Sequence, residues 1–441
     1  MLTVAEREQI RALGREPDAV ESQLALLRGG PRYRAIERPC ALGDGILRLD
    51  AAAQEAAIAA FDGSRFGAFV PASGAASRLF SNLGDDVVRR VRELALWGTL
   101  GLPDDSSPDA IRDALIDRWA AVPKGLIPFH PAPEGYCTAI DEHLSECVAL
   151  GVRSAHFTVG PEHLGAFKQR VAGAPVDVTF SVQDPGTDTV AVDAAEALVR
   201  DDGAILFRPG GHGALMQNVE DTRFELALIK NIDNVVPEAL RGDVVRWRRI
   251  IGGTLVRLLA QIRGLYSDLM DEVPGAVERA ARFADQDLAV DVPHDRDALV
   301  LLLDRPVRVC GMVPNDGQPG GGPFFIEGSR VPQIIESAEV DPEDERQQAL
   351  WRSASHFNPV DMAVALTGPH GAYDLERFSD PAAAIVTRKT HEGRSIVVLE
   401  HPGLWNGRMA RWNTVFVELP RHVFQPVKTL ADLLGDGHRS T

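Results

Sequence analysis

The first group of residues suited to chemistry is a loop of small side chains that follows an apolar stretch. The stretch FGAFV runs directly into PASGAASR at 71–78. Small residues such as Ala72, Ser73 and Gly74 let a ligand approach the backbone, where free N–H groups bind phosphate. Arg78 adds a permanently charged, planar fork that suits phosphate oxygens. The loop predicts a phosphate site, and a tight strand-to-helix turn with a surface arginine is the alternative, since the P-loop pattern is absent.

Two further loops offer a cation and a glycine-rich turn. Lys124 lies in PKGLIPF, which is too rich in Pro and Gly for a helix or strand. The ammonium group of Lys124 either lies in a cleft, where it could bind a ligand, or is solvated at the surface. In ILFRPGGHGALMQN at 205–218, residues Gly211 and Gly213 allow unusual backbone geometry and let a flat ring lie against the chain. His212 between them suits donation to a phosphate or base, or else caps a helix.

Polar residues also follow the apolar stretch in LALIKNIDN at 226–234. Asn231 and Asp233 come directly after it. The carboxyl edge of a parallel sheet is where ligands usually bind in open α/β folds. A carboxylate there suits Mg²⁺, which proteins hold with one or two acids plus substrate phosphate. We therefore predict Asp233 as a magnesium ligand and Asn231 as a substrate contact, with an Asx turn as the alternative.

Three isolated polar residues complete the candidates. Gln183 ends the stretch VTFSVQ. It is a candidate to hydrogen-bond the edge of a nucleotide base, and the alternative is a polar residue at the end of a strand with no such role. Glu336 in QIIESAEV and Asn358 in SHFNPVD are candidate contacts to a polar substrate, with ordinary sheet-edge roles as the alternative. HExxH and GxSxG patterns are absent from the sequence, so a zincin or serine-hydrolase site has no support.

The elements that position these loops alternate between helical and strand patterns. Residues 1–60 read as an N-terminal helical segment, and 61–297 as an α/β domain with helical insertions near 84–120 and 237–287. Strands separated by helices predict βαβ units and a mainly parallel, Rossmann-like sheet flanked by helices. Residues 298–441 change to short apolar runs with Gly and Pro, beginning with ALVLLLD, and predict a β-rich C-terminal extension.

Composition limits the classes of partner. The 441 residues carry a net charge of −17, which argues against nonspecific electrostatic binding to nucleic acid. The 4 cysteines lie far apart and read as reduced thiols. No apolar stretch is long enough for a membrane span and no secretory signal is visible, so we expect a cytoplasmic protein that does not bind membranes. The sequence does not indicate an oligomeric state.

In their order along the chain, the loops resemble those of nucleotidyltransferases of the UDP-sugar pyrophosphorylase type. Those enzymes carry L-x-G-G-x-G-T-R-L, P-K-G, F-x-Q, P-x-G-x-G-G and V-D-N, then a V-I-E-Y-S-E-like strand. The matching segments here are VPASGAASRL (70–79), PKG (123–125), FSVQ (180–183), RPGGHGAL (208–215), IDN (232–234) and QIIESAEV (333–340). Ala72, Ser73 and Ala76 depart from the glycines of the first motif. Over nearly its full length the chain is also similar to an uncharacterised bacterial family known only as a domain of unknown function.

The pyrophosphorylase resemblance implies a role for each loop. Backbone amides around Gly74 would hold a nucleoside triphosphate, and Arg78 and Lys124 would neutralise charge as a second phosphate attacks the α-phosphorus. Gln183 and the glycine turn would contact the base, while Asp233 would hold Mg²⁺. The expected activity joins a nucleoside monophosphate to a sugar 1-phosphate or similar phosphorylated metabolite and releases pyrophosphate. Alternatives are a glycosyltransferase that uses a nucleotide sugar and a non-catalytic nucleotide-binding protein.

Overall fold

A computed structural model describes residues 2–74, 76, 79–81, 83–290, 295–317 and 320–439. Within these residues the α-helices are α1 Val4–Ala12, α2 Pro17–Gly29, α3 Ala51–Ala60, α4 Asp85–Arg90, α5 Trp97–Leu100, α6 Pro108–Trp119, α7 Ala139–Leu150, α8 Leu164–Arg170, α9 Met216–Asp221, α10 Arg241–Met270, α11 Ala276–Asp287, α12 Arg296–Leu303 and α13 Glu345–Arg352.

The strands of the same described part are β1 Ile36–Pro39, β2 Ala41–Leu42, β3 Gly45–Leu47, β4 Phe66–Pro71, β5 Pro128–Ala132, β6 Gly135–Thr138, β7 Ser154–Val159, β8 Asp177–Val182, β9 Thr189–Val192, β10 Arg200–Asp201, β11 Ala204–Ile205, β12 Phe207–Arg208, β13 Leu226–Lys230, β14 Val307–Pro314, β15 Gly322–Ile326, β16 Gln333–Ile335, β17 His356–Phe357, β18 Asp361–Ala365, β19 Thr367–Gly368, β20 Gly371–Ala372, β21 Ile385–His391, β22 Arg394–Glu400 and β23 Asn413–Glu418.

A central sheet forms the middle layer of the molecule. Its strand order is β2-β3-β23-β14-β18-β13-β4-β7-β8, with β17 attached to β14. Every pair along this path is parallel except the two that involve β18, which runs antiparallel to both neighbours. The expected α/β class with a mainly parallel sheet flanked by helices is therefore confirmed.

The strands at the middle of this sheet bury both faces. In β4, Ala68 and Val70 contribute to one hydrophobic cluster, whereas Phe69 belongs to a second cluster on the other face. In β13, Leu228 and Ile229 divide between the same two clusters. A strand covered on both sides reads as a continuous apolar run, which is why FGAFV and LALI were recognisable as buried strands.

Strand register brings the chemically interesting loops to one edge. Phe69 of β4 lies beside Ile229 of β13 in a parallel pair, so both strands end at the same level. Lys230 at the end of β13 faces Asp361 at the start of the antiparallel β18. The loop after β4, the loop after β13 and the loop before β18 therefore meet at one edge of the sheet.

Smaller sheets surround this layer. The strands β12-β9-β22-β21 form one of them, and α2 packs against it through a cluster that includes Val20, Leu24 and Val190. The order β1-β15-β16 forms another. The β-rich character expected for the C-terminal region is present, and β14, β18 and β23 of that region belong to the central sheet. The division into segments at residues 60 and 297 stays a prediction.

Two local predictions were wrong. ALVLLLD forms α12 instead of a strand: Asp295 caps the helix by accepting a bond from the Ala298 amide at 3.0 Å. Leu299, Leu302 and Leu303 are buried at helical spacing, while Leu301 is 69% exposed. A short apolar run does not distinguish helix from strand by periodicity. PKGLIPF also has regular structure, since residues 124–126 form a single 3₁₀ turn and β5 begins at Pro128.

Helices long and apolar enough to cross a lipid bilayer are absent from the described residues.

Candidate functional site

A cavity of about 690 Å³ opens at the carboxyl edge of the central sheet. Its volume lies within the range of about 300–1,000 Å³ that is usual for small-molecule sites. Gly74 from the loop after β4, Asn231 and Asp233 from the loop after β13, and Asn358 from the loop before β18 all line it. Phe424 adds apolar wall from the C-terminal part of the chain. Segments far apart in sequence thus enclose one space.

Two lysines and one carboxylate form a charged cluster on one side of the cavity, apart from Glu336, which also lines it. Nζ of Lys124 lies 3.0 Å from Oδ2 of Asp233, and Nζ of Lys428 lies 2.9 Å from the same oxygen. Lys124 also donates to the Val427 carbonyl at 2.8 Å. Two ammonium groups and one carboxylate leave this cluster with a net charge of +1, and a site with surplus positive charge attracts anions.

Asp233 is buried and ionised within the cluster. Burial by itself would raise the pKa of this carboxyl, but the charges of Lys428 and Lys124 outweigh burial and hold the pKa below its usual value. Its other oxygen, Oδ1, is buried and has no hydrogen-bond partner among the described residues. A buried acceptor without a donor is costly, so Oδ1 has an unmet need for a donor or a cation.

A second group of polar side chains surrounds Glu336. The His212 ring stacks on Trp405 with centroids 4.1 Å apart, and its Nδ1 accepts a bond from the Leu404 amide at 2.9 Å. Nε2 of His212 therefore carries the proton and faces Oε1 of Glu336 at 3.3 Å. Trp405 Nε1 donates to the same oxygen at 2.9 Å. Burial opposes the ionised form, but the hydrogen bonds from His212 and Trp405 lower the pKa of Glu336 overall.

Asn358 presents an unused donor to the cavity. Its Oδ1 accepts a bond from the Val360 amide at 3.0 Å, whereas Nδ2 is buried without a partner among the described residues. Val360 has φ of 56°, a conformation that β-branched residues rarely adopt. Such backbone strain is typical of functional sites. The Asn358 side chain holds this strained turn, and its amide hydrogens have no acceptor among the described residues.

A network of buried charged side chains lies beside the loop after β13 and stabilises its position. Lys230 donates to Glu146 at 2.7 Å, and Arg248 bonds the other oxygen of that carboxylate. Arg248 also lies 3.3 Å from Asp361 at the start of β18. His143 donates from Nε2 to the Ile232 carbonyl at 3.2 Å. Two cations and two anions balance in this network, which ties α7 and α10 to the two strand ends that carry the cavity loops.

The structure brings together most of the residues that the sequence singled out. The predicted residues that line the cavity are Gly74, Lys124, His212, Asn231, Asp233, Glu336 and Asn358. Arg78 lies outside the described residues, so its predicted role is left as the sequence implies it.

Several predicted residues lie elsewhere. Ala72 is buried and its amide bonds the Thr158 carbonyl at 2.8 Å, continuing the β4–β7 pairing. Ser73 is exposed and, like Ala72, is not among the lining residues. Gln183 donates to the Thr187 hydroxyl at 3.4 Å and also does not line the cavity.

The glycine turn packs against protein instead of framing the cavity. Gly211 has φ of 78°, which a residue with a side chain adopts only under strain. A Cβ on Gly213 would lie 1.9 Å from the Pro402 carbonyl oxygen, so the space expected for a flat ring is filled by backbone. The two glycines let the turn approach the segment that carries Trp405, and they place His212 in the cavity wall.

Sequence reasoning missed Lys428 and Trp405. Lys428 lies in the segment PVKTL and Trp405 lies in PGLWNG. Neither residue follows an apolar strand pattern, and neither belongs to a known catalytic or binding motif. Their roles depend on contacts with residues far away in the sequence, which no local pattern reports.

The donor set at Asp233 was tested against the magnesium ion that the sequence predicts. Groups of three or more His, Cys, Asp or Glu side chains arranged to hold a metal are absent from the described part of the chain. A single carboxylate with one unpartnered oxygen suits Mg²⁺ only when substrate phosphates supply further ligands. The residues present therefore fit a magnesium ion that arrives together with a polyphosphate.

Comparison with known proteins identifies the family. The chain matches the family model described as a domain of unknown function, DUF4301, over residues 3–91 and 112–439. Because this match covers most of its length, the protein belongs to that family. No curated protein matches the sequence.

Solved structures with a similar fold include pyrophosphorylases. A UDP-glucose pyrophosphorylase mutant from Leishmania major in complex with UDP-glucose has TM-score 0.50 and 14% identity, covering 98% of this chain and 79% of that one. A UDP-glucose phosphorylase from Trypanosoma brucei has TM-score 0.51 and 15% identity, with 98% and 77% covered. A UDP-N-acetylglucosamine pyrophosphorylase from Trypanosoma brucei has TM-score 0.51 and 12% identity, with 97% and 81% covered. The resemblance found in the loops is thus confirmed at the level of the fold.

Proposed function

We propose that this protein is a nucleotidyltransferase that joins the nucleoside monophosphate part of a nucleoside triphosphate to a sugar 1-phosphate or similar phosphorylated metabolite, releasing pyrophosphate. The observation that carries the proposal is the convergence of Lys124, Lys428 and Asp233 at one edge of a sheet with the pyrophosphorylase fold. A cluster with net positive charge and one free carboxylate oxygen suits a polyphosphate accompanied by a divalent cation.

The chemistry requires no covalent intermediate with the protein. A phosphate oxygen of the metabolite attacks the α-phosphorus of the triphosphate and forms a new P–O–P bond. The bond from the α-phosphorus to the oxygen bridging to the β-phosphate breaks, and pyrophosphate leaves with the electron pair. The attacking oxygen is already ionised at neutral pH, so no base is needed. Positioning and electrostatic stabilisation supply the acceleration.

The lysines have the main catalytic role in this proposal. In the absence of substrate both are held by Asp233, which keeps two flexible side chains in the cavity. Phosphate oxygens then replace the carboxylate as their partners, and the ammonium charges stabilise the negative charge that builds up on the leaving pyrophosphate. The sequence resemblance adds Arg78 to this role.

Asp233 is the protein ligand for magnesium in the proposal, through its unpartnered Oδ1. When bound with the triphosphate, the ion would neutralise phosphate charge. Because the cluster without substrate already carries a net charge of +1, Asp233 would hold the ion best when the lysines are paired with phosphate.

The remaining polar groups suit the part of the metabolite that does not react. Glu336 accepts hydrogen bonds, and Asn358 Nδ2 donates without competition from another described residue. An acceptor and a donor in one cavity fit vicinal hydroxyl groups, which are both donors and acceptors. A sugar phosphate therefore satisfies this part of the site better than an apolar phosphoester.

The test is an assay for pyrophosphate release. Purified protein is incubated with each of the common ribo- and deoxyribonucleoside triphosphates, Mg²⁺ and a panel of hexose and pentose 1-phosphates. We expect release that requires one triphosphate and one sugar phosphate together, and the reverse reaction from the nucleotide sugar and pyrophosphate.

Other outcomes contradict the proposal. Sugar transfer or hydrolysis from a nucleotide sugar without pyrophosphate formation would identify a glycosyltransferase. Nucleotide binding with no turnover over a wide panel would identify a non-catalytic binding protein. If the protein neither binds nor turns over any nucleotide, the cavity is not a nucleotide site.

A further inference from the structure

The segment of residues 420–439, called the C-terminal segment here, crosses the cavity and contributes one of its two lysines. Within the described residues its regular structure consists of 3₁₀ turns at 421–423, 432–434 and 436–438 and one isolated antiparallel bridge, between Pro426 and Asn234. Short turns and a single bridge hold a chain in place less firmly than a long helix or an extended strand pair. The position of Lys428 therefore depends on the points at which this segment is attached to the rest of the protein.

The first attachment lies beside the cavity. The Val427 amide donates to the Asp233 carbonyl at 2.9 Å, and the Gln425 amide donates to Oδ1 of Asn234 at 3.1 Å. These bonds hold the chain just before Lys428 against the loop after β13. After Lys428 the backbone turns, since Oδ2 of Asp432 accepts bonds from the Lys428 amide at 2.8 Å and the Thr429 amide at 2.7 Å.

The second attachment is a buried chain of hydrogen bonds at the other end of the segment. Nδ1 of His438 lies 2.9 Å from Nε2 of His130, and Nδ1 of His130 lies 2.8 Å from Oε1 of Glu142. Arg241 donates to the other oxygen of Glu142 at 2.8 Å. Since Glu142 only accepts, His130 donates from Nδ1, and its Nε2 accepts the N–H of His438 when both rings are neutral.

The two attachments connect the same two stretches of chain. Lys124 lies six positions before His130, on the turn that leads into β5. One stretch thus reaches the C-terminal segment at Lys124, which donates to the Val427 carbonyl, and again at His130, which contacts His438. Leu430, Leu433 and Leu434 are buried between these points. His438 and Lys428 are thus joined by a short segment whose leucines pack in the hydrophobic core.

We infer that His438 is a positioning residue: its hydrogen bond to His130 holds the C-terminal segment so that Lys428 lies beside Lys124 and Asp233 in the cavity. The inference depends on the proposed function only for the chemistry assigned to Lys428. The attachment itself, and its effect on anion binding, are properties that an inactive protein would also show.

The test compares His438→Phe, which keeps a ring but lacks the donor, with His438→Asn, whose amide N–H lies near the position of Nδ1. Arg439→Ala is the matched control, because Arg439 is the next residue and pairs with Glu93 at the surface. Two quantities are measured: hydrogen exchange of the amides at 425–432, relative to those of β14 in the same sample, and the Kd for pyrophosphate. Far-ultraviolet circular dichroism checks that each variant is folded.

We expect His438→Phe to accelerate exchange at 425–432 at least tenfold and to weaken pyrophosphate binding about fivefold. His438→Asn should restore most of both, and Arg439→Ala should resemble the original protein. The effect on pyrophosphate affinity should disappear when Lys428→Ala is already present, which a general loss of structure would not produce.

Equal behaviour of the Phe and Asn variants would overturn the inference, and so would a fivefold weakening that persists in the Lys428→Ala background. If His438→Phe does not fold, His130→Phe provides the same comparison from the other side of the hydrogen bond, with His130→Gln as its conservative partner. If the unsubstituted protein binds no pyrophosphate, the proposed function fails, and hydrogen exchange alone then decides whether His438 holds the segment.

Discussion

At the residue scale, the cavity brings two lysines to one oxygen of one carboxylate. Such an arrangement orders Lys124 and Lys428 before substrate arrives, and it leaves more positive than negative charge in place. Long lysine side chains lose considerable rotamer freedom when they are held. Their pairing with Asp233 means that part of this entropy has been lost before a phosphate binds, which is the usual benefit of preorganisation.

Replacement of either lysine should remove most of the activity. We expect Lys428→Ala and Lys124→Ala to lower kcat about 10²–10³-fold, because each removes a charge that stabilises the leaving pyrophosphate. Steady-state pyrophosphate release measures the effect. Lys389→Ala is the control, since Lys389 pairs with Glu400 at a partly exposed position outside the cavity lining. A loss below threefold for Lys428→Ala would show that this lysine does not act on the reacting phosphates.

Asp233→Asn should separate anion binding from magnesium-dependent turnover. Loss of the carboxylate raises the charge of the cluster from +1 to +2, so pyrophosphate without metal should bind with equal or higher affinity. Turnover with Mg²⁺ should fall at least a hundredfold, because the oxygen that would ligate the ion becomes part of a neutral amide. Calorimetric titration with pyrophosphate and the release assay measure the two effects.

A parallel fall in metal-free pyrophosphate affinity would contradict this account of Asp233. It would mean that the carboxylate is needed to hold the lysines in place more than its charge opposes the anion. Asn234→Asp, one position further along, tests whether any change of charge on this loop produces the same result.

At the scale of elements, a contact between two loops shapes the cavity wall near Glu336. The glycine turn before α9 and the segment of residues 401–405 approach so closely that Gly213 has no room for a side chain. His212 and Trp405 stack as a result of this approach. The wall is therefore built from tertiary contact between loops, and its geometry changes if the loops are pushed apart.

Gly213→Ala should destabilise the fold by about 1–3 kcal/mol, since the new Cβ would meet the Pro402 carbonyl oxygen at 1.9 Å. Gly264→Ala is the opposite control: Gly264 lies within α10 with open space beside it, and alanine should stabilise the helix by about 1 kcal/mol. Urea unfolding measures both. Equal stability of the two variants would show that the turn has room to move away from Pro402.

At the scale of the whole molecule, burial of neutral histidines makes stability depend on pH. Burial lowers the pKa of His143 to about 4, and burial together with the proximity of His130 lowers the pKa of His438 to about 4. Burial likewise lowers the pKa of three further histidines, namely His156, His356 and His401. Glu339 acts in the opposite direction, since burial raises its pKa to about 7.

The sign of the pH dependence follows from these shifts. A histidine whose pKa is lower in the folded than in the unfolded state stabilises the fold fully above about pH 6.5, and this contribution is lost as the pH falls toward 4. For a shift of this size the loss at pH 5 is about 2 kcal/mol per histidine. Glu339 offsets a similar amount, because its protonated form is favoured in the folded state.

We therefore expect the urea midpoint to fall as the pH is lowered from 7.5 to 5, before ordinary carboxylates become protonated. His438→Asn should reduce the slope because it removes one of the titrating groups. Glu339→Gln should make the slope steeper, since the opposing group is lost while its acceptor oxygen remains. A midpoint that stays constant from pH 7.5 to 5 would contradict the burial of neutral histidines in the folded protein.

The predicted sheet and much of the candidate site came from local patterns. FGAFV and LALIK are apolar runs of strand length followed by polar or small residues, and both are buried parallel strands. Asp233 was recognised because it follows such a stretch, Lys124 because it lies between Pro and Gly in a loop, and Asn358 as an isolated polar residue; all three line the cavity. ALVLLLD was misread because an apolar run fits a buried strand and a buried helix equally, and the cap at Asp295 decided the outcome.

The amino-acid sequence by itself determined which strands are buried, which loops follow them and that several loops carry phosphate-binding types of residue, because these properties reside in hydrophobic period and local composition. Only the tertiary structure decided that Lys428, from the far end of the chain, shares Asp233 with Lys124, and that Gly213 makes room for backbone instead of a ligand. Contacts of that kind depend on strand order and on how distant segments pack, and no stretch of neighbouring residues encodes them.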